Sequence, residues 1–170
     1  RDLVRSRGLG DVYKRQEPLV LNIRVGGNDL CHVFGFRRHV TQSIHDIRPI
    51  SDIFSDIITV FGMDYVISGP VWEYYNGSGW DRGLKAELAQ DRLCGFTGKT
   101  VIHPNQIPLV NDAYRVSKED YEDAKAILHW EETAPSLVHG NVKKARMNEC
   151  KTHSNWAMQI LSLIHISEPT

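Results

Sequence analysis

The 170-residue chain is 41% hydrophobic and carries 20 Lys and Arg against 21 Asp and Glu, a formal net charge of -1. That is apolar content for one core of ordinary size, with no basic field to attract nucleic acid and no acidic tail. No apolar run approaches the roughly 18 residues of a membrane helix, no secretory leader is visible, and Cys31, Cys94 and Cys150 lie far apart without metal or disulfide spacing; inert thiols in a reduced cytoplasmic setting are expected.

The first stretch, "RDLVRSRGLGDVYKRQ" (1–16), lacks a starting Met, is rich in arginine and has no helical or strand periodicity that continues into residues 17–25. It resembles translated adapter sequence, as does "SLIHISEPT" (162–170), and both are set aside as non-native extensions. The plainer alternative for the first is a disordered basic arm.

"LVLNIRV" (19–25) reads as the first strand, with Asn22 and Arg24 alternating against Leu21, Ile23 and Val25. The alternation turns both polar chains either into a barrel or towards a helix layer. A Gly26-Gly27-Asn28 turn then delivers Asp29. The next helix falls within "IHDIRPISDIFSDIITVFG", where Ile50, Ile53, Phe54, Ile57, Ile58 and Phe61 recur at three- and four-residue steps, Pro49 suits the first turn and Gly62 the end.

"YVIS" (65–68) is the second strand, after which come Pro70, Trp72 and Glu73. The glycine-rich "YYNGSGW" lacks the lysine spacing of a phosphate loop, does not lead directly into a helix, and is read as a flexible loop. "WDRGLKAELAQDRLCG" gives a helix with Leu84, Leu88 and Leu93 on its apolar face and Gly95 as its stop. "TVIH" (100–103) is the third strand, ending at His103 and Pro104, and "SKEDYEDAKAILHWEE" is a helix capped by Ser117. Lys143, Lys144, Arg146 and Lys151 form a basic cluster, read first as a solvated helix face and second as a clamp for a phosphate-bearing ligand.

Strands alternating with helices predict an α/β fold with a parallel sheet, an open doubly wound one or a closed barrel. In either, chemistry gathers at the carboxyl ends of the strands. The candidate site residues are therefore Asp29 with Gly26, Gly27 and Asn28, then Pro70, Trp72 and Glu73, then His103. Each has a plainer reading: Asp29 as a turn former, Glu73 as a backbone acceptor and His103 as a satisfied core histidine.

"RVGGNDL" is similar to the Gly-x-x-Asp-Leu segment of the citrate lyase beta-subunit and HpcH/HpaI aldolase superfamily. "GFTGKTVIHPNQIPLVNDAY" (95–114) resembles its Gly-Phe-x-Gly-Lys-x-x-Ile-His-Pro-x-Gln-Ile segment, and "RMNECKTHSNWA" (146–157) resembles the tail of a bacterial branch of TIM-barrel carbon–carbon bond lyases. The resemblance implies the carboxyl-terminal part of a (β/α)8 TIM barrel, strands six to eight over residues 17–134, with a helical extension over 135–161. It also implies Mg2+ held by Asp29 and by a glutamate of the fifth strand, and aldol or Claisen cleavage of a short carboxylic acid or its coenzyme A thioester.

A whole barrel takes roughly 250 residues. The glutamate and the arginine that the resemblance assigns to the metal and the substrate carboxylate are then expected upstream, and this chain alone is expected to be inactive and to fold poorly. The full-length protein is expected to be a homo-oligomer without nucleic-acid or membrane partners. The alternatives are a non-catalytic barrel homologue serving as a scaffold subunit in a bacterial stress-response system and, less well supported for want of a Gly-rich first turn, an open-sheet nucleotide-binding domain.

Overall fold

The computed structural model describes residues 20, 22–129, 138–141 and 143–167; the adapter-like stretch 1–16 and Leu21 lie outside them. The chain divides into two compact units, residues 1–113 and 114–170.

In the first unit three short parallel strands, β1 (Ile23–Arg24), β2 (Ile67–Gly69) and β3 (Gly98–Lys99), pair in that order. Ile23 lies opposite Ile67, Arg24 opposite Ser68, Ser68 opposite Gly98 and Gly69 opposite Lys99. Parallel neighbours need crossovers. The chain supplies α1 (Gly27–Phe34) and α2 (Arg48–Phe61) between β1 and β2, then α3 (Trp80–Cys94) between β2 and β3, with α4 (Ile107–Ala113) after β3.

One face of the sheet is apolar and meets the helices. Ile23, Val25 and Ile67 pack with Cys31 of α1, Ile50 and Phe54 of α2, and Phe96. The Phe54 and Phe96 rings meet edge to face at 5.6 Å, a favourable aromatic geometry. The spacing that predicts α2 is thus its buried face. On β1, Asn22 and Arg24 take the opposite face of the sheet, where Asn22 Nδ2 donates to Ser68 Oγ at 2.9 Å and Arg24 Nε to Thr100 Oγ1 at 3.4 Å.

Several expected details change. The Gly26-Gly27-Asn28 segment is not an open turn: a helix begins at Gly27, with Asp29 in its first turn and Gly26 at φ -80°. Neither glycine has a positive φ. Gly27 is needed for proximity, since a Cβ there would stand 2.5 Å from Pro70 Cβ and 2.7 Å from Ile44 Cδ1. The loop before α3 does lead directly into the helix, through Gly79 at φ 80° as its cap, a left-handed conformation that favours glycine.

The third strand lies two residues earlier than its β-branched signal. Gly98 and Lys99 pair with β2, while Val101 and Ile102 are exposed, because placing Lys99 in the ladder sends its ammonium to two buried carboxylates. Leu93 is 88% exposed; the buried face of α3 is Leu84, Glu87, Leu88 and Asp91.

The second unit pairs α5 (Lys118–Leu128) with α6 (Cys150–Ser167), and a hairpin of β4 (Val138–Gly140) and β5 (Met147–Glu149) precedes α6. Its core is Ala124, Ile127, Ala157 and Ile160, flanked by Val116, Trp156 and Leu161. Ser117 caps α5 as predicted, accepting from Asp120 N at 3.0 Å.

The basic cluster is mostly a hairpin turn and not a helix face. Lys143 reaches Glu119 at 2.7 Å, and Arg146 reaches Asp120 at 3.2 Å. The hydrogen bond and charge of Lys143 hold the Glu119 carboxyl below its usual range, and Glu119 raises Lys143 in return. Acidic residues of α5 thus already occupy these two cations.

Gly83 gives a sharp test of the packing. A Cβ there would collide with the Val40 carbonyl oxygen and stand 2.6 Å from Trp72 Cζ2. Gly→Ala ordinarily stabilises a helix interior by about 1 kcal/mol. Here Gly83→Ala is expected to destabilise the chain by about 1–3 kcal/mol through overpacking, read as a lower urea midpoint at unchanged slope.

Candidate functional site

The site is built outward from α3, whose Glu87 and Asp91 are one turn apart and both 0% exposed. A buried carboxylate requires a positive partner and satisfied lone pairs. Lys99 Nζ supplies both carboxylates, at 2.9 Å to Glu87 Oε1 and 2.6 Å to Asp91 Oδ2. Glu87 Oε2 accepts from Ile44 N at 2.9 Å and faces Arg38 Nε at 3.2 Å. Asp91 Oδ1 takes His45 Nε2 at 2.7 Å, which assigns the ring proton to that nitrogen.

Arg38 carries this cluster to the strand ends. Its Nη1 donates to Asn28 Oδ1 at 3.1 Å and its Nη2 to the Val71 carbonyl, while the guanidinium lies 5.2 Å from the Trp72 ring centroid, within cation–π range. One side chain therefore ties the start of α1 to the loop after β2. The loop after β3 is tied in by Gln106, 1% exposed, whose Nε2 donates to the Trp72 and Tyr74 carbonyls at 2.8 and 2.9 Å. Its Oε1 accepts from Ile102 N at 3.0 Å.

The predicted site residues divide into three kinds. Asp29 is exposed, makes no hydrogen bond or ion pair among the described residues, and lies over Gly26, where a Cβ would meet Asp29 Oδ2 at 2.6 Å. Pro70 and Trp72 are buried and serve packing, Pro70 against Gly27 and Trp72 against Arg38. His103 is half-buried, stacks on Tyr75 at 4.2 Å and accepts from Asn105 N through Nδ1 at 3.2 Å, which leaves Nε2–H for another partner.

Glu73 is half-buried and reaches Arg37 Nε only at 3.7 Å, longer than a hydrogen bond. It lines a cleft of about 190 Å³ with Asn28, Cys31, His32, Phe36, Arg37 and Arg38. Burial pushes the Cys31 thiol up against the opposing pull of Arg38, and it pushes Cys94 up together with the charge of Asp91.

Asp29 fits a hard cation as one oxygen ligand. Among the described residues no three His, Cys, Asp or Glu side chains stand close enough to enclose a metal, so this carboxylate is one member of any such set. Sequence reasoning missed Arg38, His45, Glu87, Asp91 and Gln106. A usable signal existed for two of them: Glu87 and Asp91 continue the three- and four-residue spacing of Leu84 and Leu88, which places carboxylates on an apolar helix face.

The family described as carbon–carbon bond lyases of the TIM-barrel fold has a model that matches residues 2–166. Three curated relatives, each named (3S)-malyl-CoA thioesterase and from strains of Cereibacter sphaeroides, are 42% identical over 48 residues, 28% of this chain and 17% of theirs. A solved structure of the protein CitE from Mycobacterium tuberculosis, in complex with magnesium, acetoacetate and coenzyme A, is similar at TM-score 0.58 and 22% identity, over 85% of this chain and 52% of that one. At that identity the likeness is one of fold. The chain spans about half of that structure and under a fifth of the curated relatives. No helix among the described residues is long and apolar enough to cross a membrane.

Removing one member of the buried cluster strands its partners. Glu87→Ala is expected to cost about 3–5 kcal/mol, measured by urea denaturation, whereas the exposed pair of Arg48 and Asp52 contributes under about 1 kcal/mol. Raised thiol pKa values mean less thiolate at neutral pH. Iodoacetamide should therefore modify exposed Cys94 more slowly than a free cysteine, with a rate still climbing above pH 9.0, and should modify Cys31, 5% exposed, more slowly still.

Proposed function

Because the chain belongs to the carbon–carbon bond lyase family of the TIM-barrel fold, we propose that it forms the carboxyl-terminal half of the barrel of a Mg2+-dependent lyase. The reaction is aldol or Claisen cleavage of a short carboxylic acid or its coenzyme A thioester. The observation that carries the reading is Asp29, an exposed carboxylate without a partner among the described residues, set at the carboxyl end of β1 above Gly26. The carboxylate stands in the first turn of α1, at the end of the sheet where barrel enzymes gather their chemistry, and packing does not consume it.

In the cleavage, the bond between the carbon beside a carbonyl and the next carbon breaks. Its electron pair stays with the carbonyl fragment as an enolate, the other fragment leaves as a carbonyl compound by giving its hydroxyl proton to a base, and the enolate carbon then takes up a proton to complete the cleavage. When bound, Mg2+ supplies the positive charge that offsets the negative charge developing on the carbonyl oxygen. This chain's residues hold and orient: Asp29 offers a hard oxygen, Gly26 leaves space beneath it, and Asn28 is fixed by Arg38. Glu73 and the Nε2 edge of His103 are the polar groups available at the neighbouring loops. The remaining metal ligands are proposed to come from residues outside this half.

The substrate class is supported by the relatives. One group is named for malyl-CoA and the similar CitE structure holds acetoacetate and coenzyme A with magnesium. The test is a magnesium titration and a cleavage assay of the protein carrying this chain, using (3S)-malyl-CoA and related thioesters. Asp29→Asn should weaken Mg2+ binding at least about tenfold and depress cleavage in parallel. Unchanged affinity with an unchanged rate would overturn the reading.

A further inference from the structure

The last turn of α3 brings a thiol to the free side of a histidine whose other nitrogen is already bonded. Cys94, exposed at the carboxyl end of α3, stands with Sγ 3.7 Å from His45 Nδ1. On the opposite nitrogen, His45 Nε2 bonds Asp91 Oδ1 at 2.7 Å. Asp91 and Cys94 are three residues apart and so share one side of the helix. The imidazole therefore lies between a buried carboxylate and an exposed thiol.

The ring is held in place from every direction. Its side chain is 6% exposed and that of Asp91 0%. The Phe54 and Phe96 rings meet it edge to face at 5.6 and 6.1 Å, and Asp91 is itself fixed by Lys99 at 2.6 Å. With the ring proton on Nε2, Nδ1 carries a lone pair, and Cys94 is what that lone pair faces. A histidine whose far N–H rests on a carboxylate is the arrangement found behind metal ions, where the carboxylate fixes the tautomer and makes the ligating nitrogen more basic.

We propose that Cys94 Sγ and His45 Nδ1 form a zinc site, with Asp91 as the support behind the histidine. It is distinct from the magnesium reading of Asp29 and does not rest on it. A thiolate with an imidazole suits zinc, whereas magnesium takes oxygen ligands. The spacing agrees. Zinc bonds of about 2.3 Å to sulfur and about 2.05 Å to nitrogen, at a tetrahedral angle, set the two atoms about 3.6 Å apart; here they are 3.7 Å apart. As the metal–sulfur bond forms, the thiol proton leaves to solvent.

Position also favours a cation, since the carboxyl end of a helix is the negative end of its dipole. Two protein ligands leave the remaining positions to water on the exposed side of Cys94. The site is therefore open and exchangeable, unlike the closed four-ligand centres on which small zinc domains depend for folding.

The test uses the reduced full chain with cobalt(II), which substitutes for zinc and reports a bound thiolate by charge-transfer absorption in the near ultraviolet. The wild type should develop this band saturably at one cobalt per chain, and zinc should abolish it by competition. Cys94→Ser should remove the band and weaken zinc binding at least about a hundredfold, beyond the loss that follows removal of an outer partner. Cys150→Ser should change neither. Zinc should also shift the nitrogen NMR resonance of His45 Nδ1 in the wild-type chain, a readout that needs no substitution of a buried ring.

A band absent from the wild type, retained in Cys94→Ser or lost equally in Cys150→Ser overturns the site. So does a His45 Nδ1 resonance that zinc leaves in place. The pair is then a thiol–imidazole contact only. Circular dichroism of both variants verifies that the fold is retained.

Discussion

Two carboxylates on one side of α3 cannot be buried without cations, and the first unit is arranged to bring those cations in. Glu87 and Asp91 draw the cations Lys99 from β3 and Arg38 from the loop after α1, and Asp91 is also bonded by the His45 ring on the approach to α2. The requirement reaches into the sheet. A Cβ on Gly69 would stand 3.1 Å from Asp91 Oδ2, so β2 presents glycine where α3 presents acid. Such a cluster adds less net stability than an apolar core of the same volume, but it penalises every arrangement that leaves one charge unpaired.

The rim inherits its geometry from this cluster. Arg38 is at once the counter-ion of Glu87 and the donor to Asn28 and Val71, so the loops after β1 and β2 are fixed by the charges beneath them. Gln106 then fixes the loop after β3 against the second. The residues that remain uncommitted at this end, Asp29 above all, stand on a frame whose own polar groups are largely consumed. A preorganised ligand group needs such support, since its neighbours hold their positions before anything binds.

Local rules served well where they described one element. The spacing of Ile50, Phe54, Ile57 and Ile58 gave the inner face of α2, Gly95 ended α3 in a left-handed conformation, and Ser117 capped α5. They failed where a partner distant in sequence decided the outcome. The run at 100–103 is more β-branched than Gly98 and Lys99, yet the ladder takes the latter because an ion pair with α3 outweighs strand propensity. Leu93 lies on the opposite side of the helix from Leu84 and is exposed, while Glu87 and Asp91 share the face of Leu84 and Leu88 and are buried. The second of the glycines before Asp29 is required for a reason of packing: Pro70 and Ile44, far along the chain, need Gly27 to lack a side chain.

Gln106 holds the second loop by the carbonyls of Trp72 and Tyr74, and Asn105 holds Tyr75 in the same way at 3.3 Å. These bonds read main-chain atoms alone. The side chain at position 73 is therefore uncoupled from the fastening of the loop that bears it, and natural drift or deliberate library design can exchange it while the backbone trace is preserved, whereas Tyr75 also joins the two loops through its stack on His103. The architecture separates what anchors the loop from what the loop displays, which is how one scaffold can diversify its chemistry of recognition without re-evolving its foundation.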